Sequence, residues 1–229
     1  MKKILIVGTN TTASHVFSFI TMYHLYDVIG FAVDKEYRGG TSFMGLPVYN
    51  TEDIETVLDK KNDFIFIAIL WNRLNLDRKN VYEKLKNKGF KFANLISPTA
   101  IIRGEIKGDN CWIHDYVVIQ NNTIIKSNVL IMSYVLIGAD TIISSNCFIG
   151  AKALVAGGCV VGNQTFVGMN ATIFDGRTVG NKCIVGACSA VKRNMPDFCT
   201  IKVNNDANCI IQRTEAEIES KLMFSKNVK

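Results

Sequence analysis

The chain has 229 residues, 48 % of them hydrophobic, with seven cysteines and a formal charge of +6, which is enough chain for two modest domains with real cores. The charge is thinly spread, without a run of five like residues, so a solvated basic surface or attraction to phosphate-bearing small molecules accounts for it better than nucleic-acid binding. MKKILIVGTN reads as a first strand and not as a signal peptide, no apolar stretch is long enough for a membrane span, and an odd, unpaired set of cysteines points to a reducing compartment, so a cytoplasmic location is expected.

In chain order, residues 3–8 are a buried strand followed by a Thr/Ser-rich turn and an apolar periodic stretch from Val16 to Tyr26. Residues 27–34 form a second strand ending on Asp34. Gly45-Leu46-Pro47-Val48 then leads to Thr51-Glu52-Asp53, which is expected to cap a short helix. Asp63 to Leu70 is a third strand, 72–88 a charged helix, and Phe90 to Ile96 a fourth strand. This alternation predicts a small doubly wound α/β domain with a parallel, Rossmann-like sheet, whose ligands lie beyond the carboxyl ends of the strands. Those ends are Gly8–Ser14, Asp34–Lys35 and Leu70–Arg73. Gly8-Thr9-Asn10-Thr11-Thr12-Ala13 has one glycine where a dinucleotide fingerprint needs three, which disfavours a nicotinamide cofactor. The helix N-terminus with Thr11, Thr12 and Ser14 suits a phosphate or a uracil-like group.

Ser97-Pro98-Thr99-Ala100 is read as a hinge, after which an apolar β-branched residue recurs every sixth position from Ile101 to Val191, broken only at Lys107. Neither a helix nor a plain strand gives that period; it belongs to coils of short strands and turns, stacked in one dimension. Four residues after each marked position the side chain is usually small or β-branched, and Cys111, Cys147, Cys159 and Cys183 are expected to pack at this tighter site. The residue before each marked position is often large and apolar. Every eighteenth such residue, Trp112, Leu130, Phe148, Phe166 and Ile184, falls in one column, a ridge that burial between subunits would explain. The hexads stop after Val191, and TEAEIESKLM, from Thr214, reads as a short helix capping the stack.

The repeat resembles the isoleucine-patch hexapeptide of left-handed β-helix acyltransferases, with three hexads to a turn. The α/β domain fused to it, with Gly45-Leu46-Pro47-Val48, Phe66-Ile67-Ala68-Ile69, Asn94-Leu95-Ile96-Ser97-Pro98, Ala156-Gly157-Gly158 and Val191-Lys192-Arg193-Asn194-Met195-Pro196, resembles bacterial nucleotide-sugar acetyltransferases. These include N-acetyltransferases of UDP- or dTDP-linked 4-amino sugars and sialic acid O-acetyltransferase-like proteins. The resemblance implies a left-handed parallel β-helix over 98–213, a nucleotide-sugar-binding α/β domain over 1–97, and a helix or tail over 214–229. It also implies a homotrimer, acetyl-CoA as co-substrate along the prism between two subunits, and a role in surface polysaccharide synthesis.

It further implies site residues. The family's catalytic His, followed by an acidic residue, corresponds here to Ala139-Asp140, so the acid is kept and the base is not. Asp140, which would orient that base, is left to hold the amine or take its proton through water. Gly157, one coil of eighteen beyond Ala139, inherits a backbone N–H role at the oxyanion, with a corner glycine needed for backbone shape as the competing account. Asn121 and Asp175 flank the same column. His114, twenty-five residues before Ala139, is a displaced base, a substrate contact or a turn residue. Gly168, Met169 and Ala187 are the expected CoA contacts, with Lys192 and Arg193 near its phosphates; the adenine-end motif is replaced by Lys202-Val203-Asn204-Asn205-Asp206-Ala207. Gly8, Asn10, Thr11, Asp34 and Lys35 are expected at the acceptor nucleotide. The three histidines are too few and too scattered for a zinc site.

An amine nucleophile survives loss of a base better than a hydroxyl does, which favours N-acetylation of a nucleotide-linked amino sugar. The alternatives are O-acetylation with a displaced base, and a nucleotide-sugar-binding homologue that kept the fold and lost catalysis.

Overall fold

The computed structural model describes residues 2–203 and 209–221. It contains two compact units, one of Met1–Leu70 with Arg78–Leu95, the other of Trp71–Asp77 with Ile96–Lys229.

In the first unit, β1 (Lys3–Val7), β2 (Asp27–Val33), β3 (Ser42–Phe43), β4 (Leu46–Asn50) and β5 (Phe64–Ile67) form a sheet of order β3-β4-β2-β1-β5, parallel except for the short edge strand β3. Helix α1 (Thr11–Met22) starts where Asn10, in extended conformation, accepts the Ala13 N–H at 3.1 Å. Its Val16, Phe19 and Ile20 are buried, and Phe17 meets Phe31 at 5.9 Å between ring centres. Alternate strand residues Leu5, Val7, Ala32, Ile65 and Ile67 pack on the other face with Leu85 of α2 (Asn72–Asn87), Ile54 and Phe90. Period two in the strands and one helix on each face make the doubly wound layer the sequence predicts.

Local expectations fail in three places. Thr51 caps nothing: its hydroxyl donates to Asp34, and the helix that follows is a single 3-10 turn, Ile54–Thr56, without a side-chain cap. Phe90 to Ile96 is not one strand, because Phe92 makes one bridge to Ile65 and only Leu95–Ile96 is a true strand. Helix α2 is broken near its start, where Arg73, Leu74 and Asn75 are left-handed at φ 50, 55 and 60. Such residues cost about 1–2 kcal/mol each, and burial offsets that cost. Leu74 packs with Ile184 and Ile218, and the Asn75 amide donates to the Asn146 carbonyl at 2.7 Å.

The second unit is a three-faced prism of two-residue strands. The first face carries Trp112–Ile113, Leu130–Ile131, Phe148–Ile149, Phe166–Val167 and Ile184–Val185. The second runs from Val118–Ile119 to Ala190–Val191, and the third from Ile124–Ile125 to Thr178–Val179. Each strand pairs in parallel with the one eighteen residues on, as Ile131 with Ile149 and Ile137 with Val155. Every sixth residue from Ile113 to Val191 points inward and is at most 1 % exposed, so the core is one continuous aliphatic stack. Each corner turns through a left-handed residue three places after the inward one, as at Asn128 (φ 62), Asp140 (φ 57) and Asn170 (φ 54). Asn and Asp suit this conformation better than other non-glycine residues.

The small position also joins the coils. Thr123, Thr141 and Thr165 donate to the carbonyls of Gly138, Ala156 and Gly180 at 2.7–3.0 Å, and Cys147, Cys159 and Cys183 do the same to Gly162, Phe174 and Pro196 at 3.0–3.1 Å. All four predicted packing cysteines are buried. Burial pushes the Cys147 and Cys183 thiols up to about 12.

The hexad frame begins later than the sequence suggests. Ile119 pairs with Ile102 and Ile125 with Ile106, so the first coil is irregular, Lys107 is not an inward position, and Ile101 is exposed. The apolar column on the first face is also accounted for differently. Trp112, Leu130, Phe148 and Ile184 are at most 9 % exposed within a single chain. Trp71 packs on Phe148 with ring centres 4.6 Å apart and planes tilted by 51°, and lies 6.3 Å from Phe166, while Leu74 and Ile218 cover Ile184. The inference of a subunit interface from this ridge is therefore withdrawn, since the chain covers the ridge itself.

Above Ile184–Val185 the strand Cys199–Lys202 continues the first face, and Cys209–Gln212 returns antiparallel along its edge. Helix α3 (Glu215–Lys221) begins with a capping box, in which Thr214 and Glu217 exchange hydrogen bonds. Its Ile218 lies on the flank of the first face beside Ile184, where the sequence predicts an end cap. Among the described residues, no helix is long and apolar enough to cross a membrane.

Candidate active site

The residues expected to do chemistry fall on two corners of the prism. His114 is on the corner between the first and second faces, half-buried, its ring 4.2 Å from that of Trp112. Ala139, Asp140 and Gly157 are on the corner between the second and third faces, with Asn121 before them and Asp175 after. The fold thus brings Asp140 and Gly157 together and leaves His114 elsewhere on the same chain.

The coil-on-coil hydrogen bonds of the second corner fix its backbone. Gly158 N–H donates to the Ala139 carbonyl and Gly176 N–H to that of Gly157, each at 2.8 Å, and Asp140 N–H donates to Asn121 at 3.0 Å. The Ala139 N–H is held by the Gln120 side chain at 3.1 Å. Asp140 occupies the left-handed corner position and accepts from the Asn122 amide at 3.0 Å. The Gly157 N–H, the expected oxyanion donor, points to the Asp175 carboxylate, 3.2 Å from Oδ1.

Gly157 differs from the other corner glycines. At Gly138 a Cβ would meet the Gly157 nitrogen at 2.5 Å, so the stacking of coils requires glycine there. At Gly157 the nearest atom to an added Cβ is the Ala139 carbonyl oxygen at 3.4 Å, an ordinary contact, and the left-handed residue is its neighbour Gly158 (φ +66). Backbone shape therefore does not demand glycine at 157. With only a methyl at 139 and a hydrogen at 157, two successive coils leave an open notch between Asn121 and Asp175.

The expected CoA contacts also lie on two corners. Gly168, Met169 and Ala187 stack on the first, where a Cβ at Gly168 would meet the Ala187 nitrogen at 2.5 Å and Met169 is 59 % exposed. Lys192 and Arg193 are exposed on the second. Met169 and Ala187 are exposed beside the buried Gly168, and such small and flexible apolar residues, with two cations available for phosphates, are a chemically suitable donor set for a pantetheine and its phosphates. Within the altered adenine-end segment, Asn204 to Ala207 lie outside the described residues.

In the α/β unit, Asp34 and Lys35 line an open cleft of about 540 Å³ with Glu36, Glu52 and Lys84. Burial alone would raise the Asp34 pKa, but hydrogen bonds from Thr51 and Lys84 and the charges of Lys84 and Lys88 outweigh it and hold the carboxyl below its usual value. Lys84 Nζ is 3.2 Å from Asp34 and 3.7 Å from Glu52. Its place fifty residues away along the chain gives no sequence signal of this partnership. A second depression of about 210 Å³ is lined by Thr9, Gly39, Gly40, Ser42, Phe43 and Val48. Gly8 (φ +129) packs against the Ala68 carbonyl, and its N–H bonds Ala32 at 2.8 Å. Of the turn hydroxyls, Ser14 is turned back onto the Thr11 carbonyl at 2.7 Å and Thr12 is buried, which leaves Thr11 exposed at the helix start. The Asn10 side chain caps the helix.

Residues 108–139, 122–157 and 140–175 match the model of the bacterial transferase hexapeptide (six repeats). No curated protein sequence matches the chain. Among solved structures, the chain is similar to a histidine-to-asparagine variant of perosamine N-acetyltransferase from Caulobacter crescentus in complex with CoA and GDP-perosamine. The identity is 23 %, the TM-score 0.80, and the match covers 93 % of this chain and 98 % of that one. It is similar also to the acetyltransferase domain of PglB from Neisseria gonorrhoeae in complex with acetyl coenzyme A, at 21 % identity and TM-score 0.78, over 92 % and 99 % of the two chains. WeeI from Acinetobacter baumannii matches at 16 % identity and TM-score 0.63, over 92 % and 100 %. Residues 108–175 thus carry the bacterial transferase hexapeptide repeat, and the chain as a whole has the α/β plus left-handed β-helix fold of these solved structures.

Proposed function

We propose that the chain is a CoA-dependent acyltransferase that transfers acetyl from acetyl-CoA to the amine of a nucleotide-linked amino sugar. The observation that carries this reading is the notch at Ala139 and Gly157, an opening the backbone does not require, on a fold shared over nearly its whole length with enzymes solved with CoA and GDP-perosamine. The α/β unit, with Asp34, Lys35 and the α1 N-terminus around Gly8, Asn10 and Thr11, takes the nucleotide. The strip Gly168–Met169–Ala187 takes the pantetheine, and Lys192 and Arg193 the phosphates. In a homotrimer, as the resemblance implies, a CoA between two protomers is how residues of two different corners come to line one cleft.

Amide formation needs a neutral amine held against the thioester carbonyl, a donor at the developing oxyanion, and a destination for one proton. Positioning contributes about 7–11 kcal/mol in favourable cases, whereas a general base contributes roughly 10²–10⁴-fold. An amine therefore tolerates alanine at 139 far better than a sugar hydroxyl does. His114 does not restore O-acetylation within one chain, because it stands on another corner.

The test is to incubate the protein with acetyl-CoA and a panel of UDP-, dTDP- and GDP-amino sugars and to follow release of the CoA thiol. Turnover of at least one amino sugar, with the hydroxyl analogue inert, is the expected result. Binding of nucleotide sugar with no thiol release across the panel favours the catalytically silent homologue.

A further inference from the structure

We propose that Asp175 is the group that accepts the proton of the attacking amine, an inference that rests on the acyltransferase reading above. The second corner holds two carboxylates. Asp140 is at the turn position and accepts from Asn122. Asp175 stands one coil beyond Gly157, in the register of Ala139, and its Oδ1 reaches back 3.2 Å to the Gly157 N–H. It therefore overhangs the notch left by a methyl at 139 and a hydrogen at 157, where an added Cβ would come within 3.7 Å of the same Oδ1. That opening has no structural requirement behind it. A group bound there meets a backbone N–H and a carboxylate oxygen side by side, the pair that an acylated amine needs.

The two roles interlock. While Asp175 is ionised, it occupies the Gly157 N–H and accepts a hydrogen bond from the neutral amine. The amine nitrogen bonds to the thioester carbon as the carbonyl π pair moves to oxygen, and the nitrogen's proton passes to Asp175. A neutral carboxyl accepts more weakly from Gly157, so the fixed N–H becomes available to the new oxyanion. Collapse then breaks the C–S bond, and Asp175 returns its proton to the departing thiolate. The products are the acetamide and the CoA thiol, with every atom and charge accounted for.

The experiment compares wild type with Asp175→Asn, Asp175→Glu and Asp175→Asn/Ala139→His, using acetyl-CoA and the amino sugar the wild type accepts. It measures kcat against pH, KM for acetyl-CoA and the melting temperature of each variant. Asp175→Asn is expected to lose about 10²–10⁴-fold in kcat and the acidic limb of the pH profile, with KM and melting temperature little changed, and Ala139→His is expected to restore about tenfold or more. An Asp175→Asn enzyme with wild-type kcat and pH profile overturns the proposal. So does a loss that follows the melting temperature in both the Asn and Glu variants, which makes the residue structural. A wild type inert toward the whole panel refutes the acyltransferase reading as well, whereas an active wild type unaffected by Asp175→Asn refutes this inference alone.

Discussion

Two corners of one prism solve the same stacking problem in opposite ways. Where the third face meets the first, Asn110, Asn128 and Asn146 are buried at the left-handed positions and pass side-chain hydrogen bonds from coil to coil at 2.7 and 2.8 Å, continued to Asn163 at 3.2 Å. Where the second face meets the third, the outward column is Asn121, Ala139, Gly157 and Asp175, and two coils contribute almost no side chain at all. The first of these corners ties three successive asparagines to one another, until Gln164 takes the same left-handed position and its amide finds no partner among the described residues. The second has no side chain beyond a methyl at 139 and a hydrogen at 157, so its outward column makes no such ladder across these two coils, although the fold leaves room for a larger residue at 157. A solenoid whose coils are otherwise interchangeable thus shows its site as the place where side-chain cohesion is withheld.

The largest effect that would sharpen this contrast is loss of stability on Asn128→Ala. The substitution strips a donor from the Asn146 carboxamide, an acceptor from Asn110, and a residue suited to φ 62. A cost of about 3 kcal/mol is expected in chemical denaturation, and a cost near zero would mean the stack contributes nothing. Thr141→Val is the matching change inside the second corner. It keeps the shape and removes the hydroxyl that donates to Ala156 at 3.0 Å and accepts from Cys159 at 3.2 Å, for which about 1–2 kcal/mol is expected.

A smaller and graded effect follows from pH. Cys147 and Cys183 lie inside the asparagine corner, and burial raises both thiols from 9.0 to about 12. The folded chain then binds protons that the unfolded chain has released, so this stability is complete below pH 9.0 and falls as the pH rises toward about 12. Melting temperature should begin to drop between pH 9.0 and 10 in wild type and drop less in Cys147→Ala. Equal slopes in the two proteins would remove the thiol from the explanation.

Legibility from sequence follows the same division. The prism core was written at period six because each inward position admits one branched aliphatic residue and nothing else, and Ile113 to Val191 obey it without exception. The column Ala139–Gly157–Asp175 was equally readable, since one coil is eighteen residues. The Asp175 hydrogen bond to Gly157 was not readable, because side-chain direction at a corner depends on the turn and not on the repeat. Trp71 and Leu74 were hidden for a different reason. They sit at the start of what reads as a charged helix, and only three successive left-handed residues turn them onto Phe148 and Ile184. That covered ridge looked like a subunit contact because the sequence shows which residues are apolar and not what lies over them. In the α/β unit the strands were legible by composition, but the tie of Lys84 to Asp34 spans elements with no local signal between them.

Gly157→Asn puts the comparison to its most direct test, because Asn121 already occupies the same register two coils, thirty-six residues, earlier in the column. If the notch exists for chemistry, the variant should hold its stability within about 0.5 kcal/mol while release of thiol from acetyl-CoA in the presence of the accepted amino sugar is abolished. Wild-type turnover in a stably folded Gly157→Asn protein would contradict the claim that acyl transfer takes place at this corner.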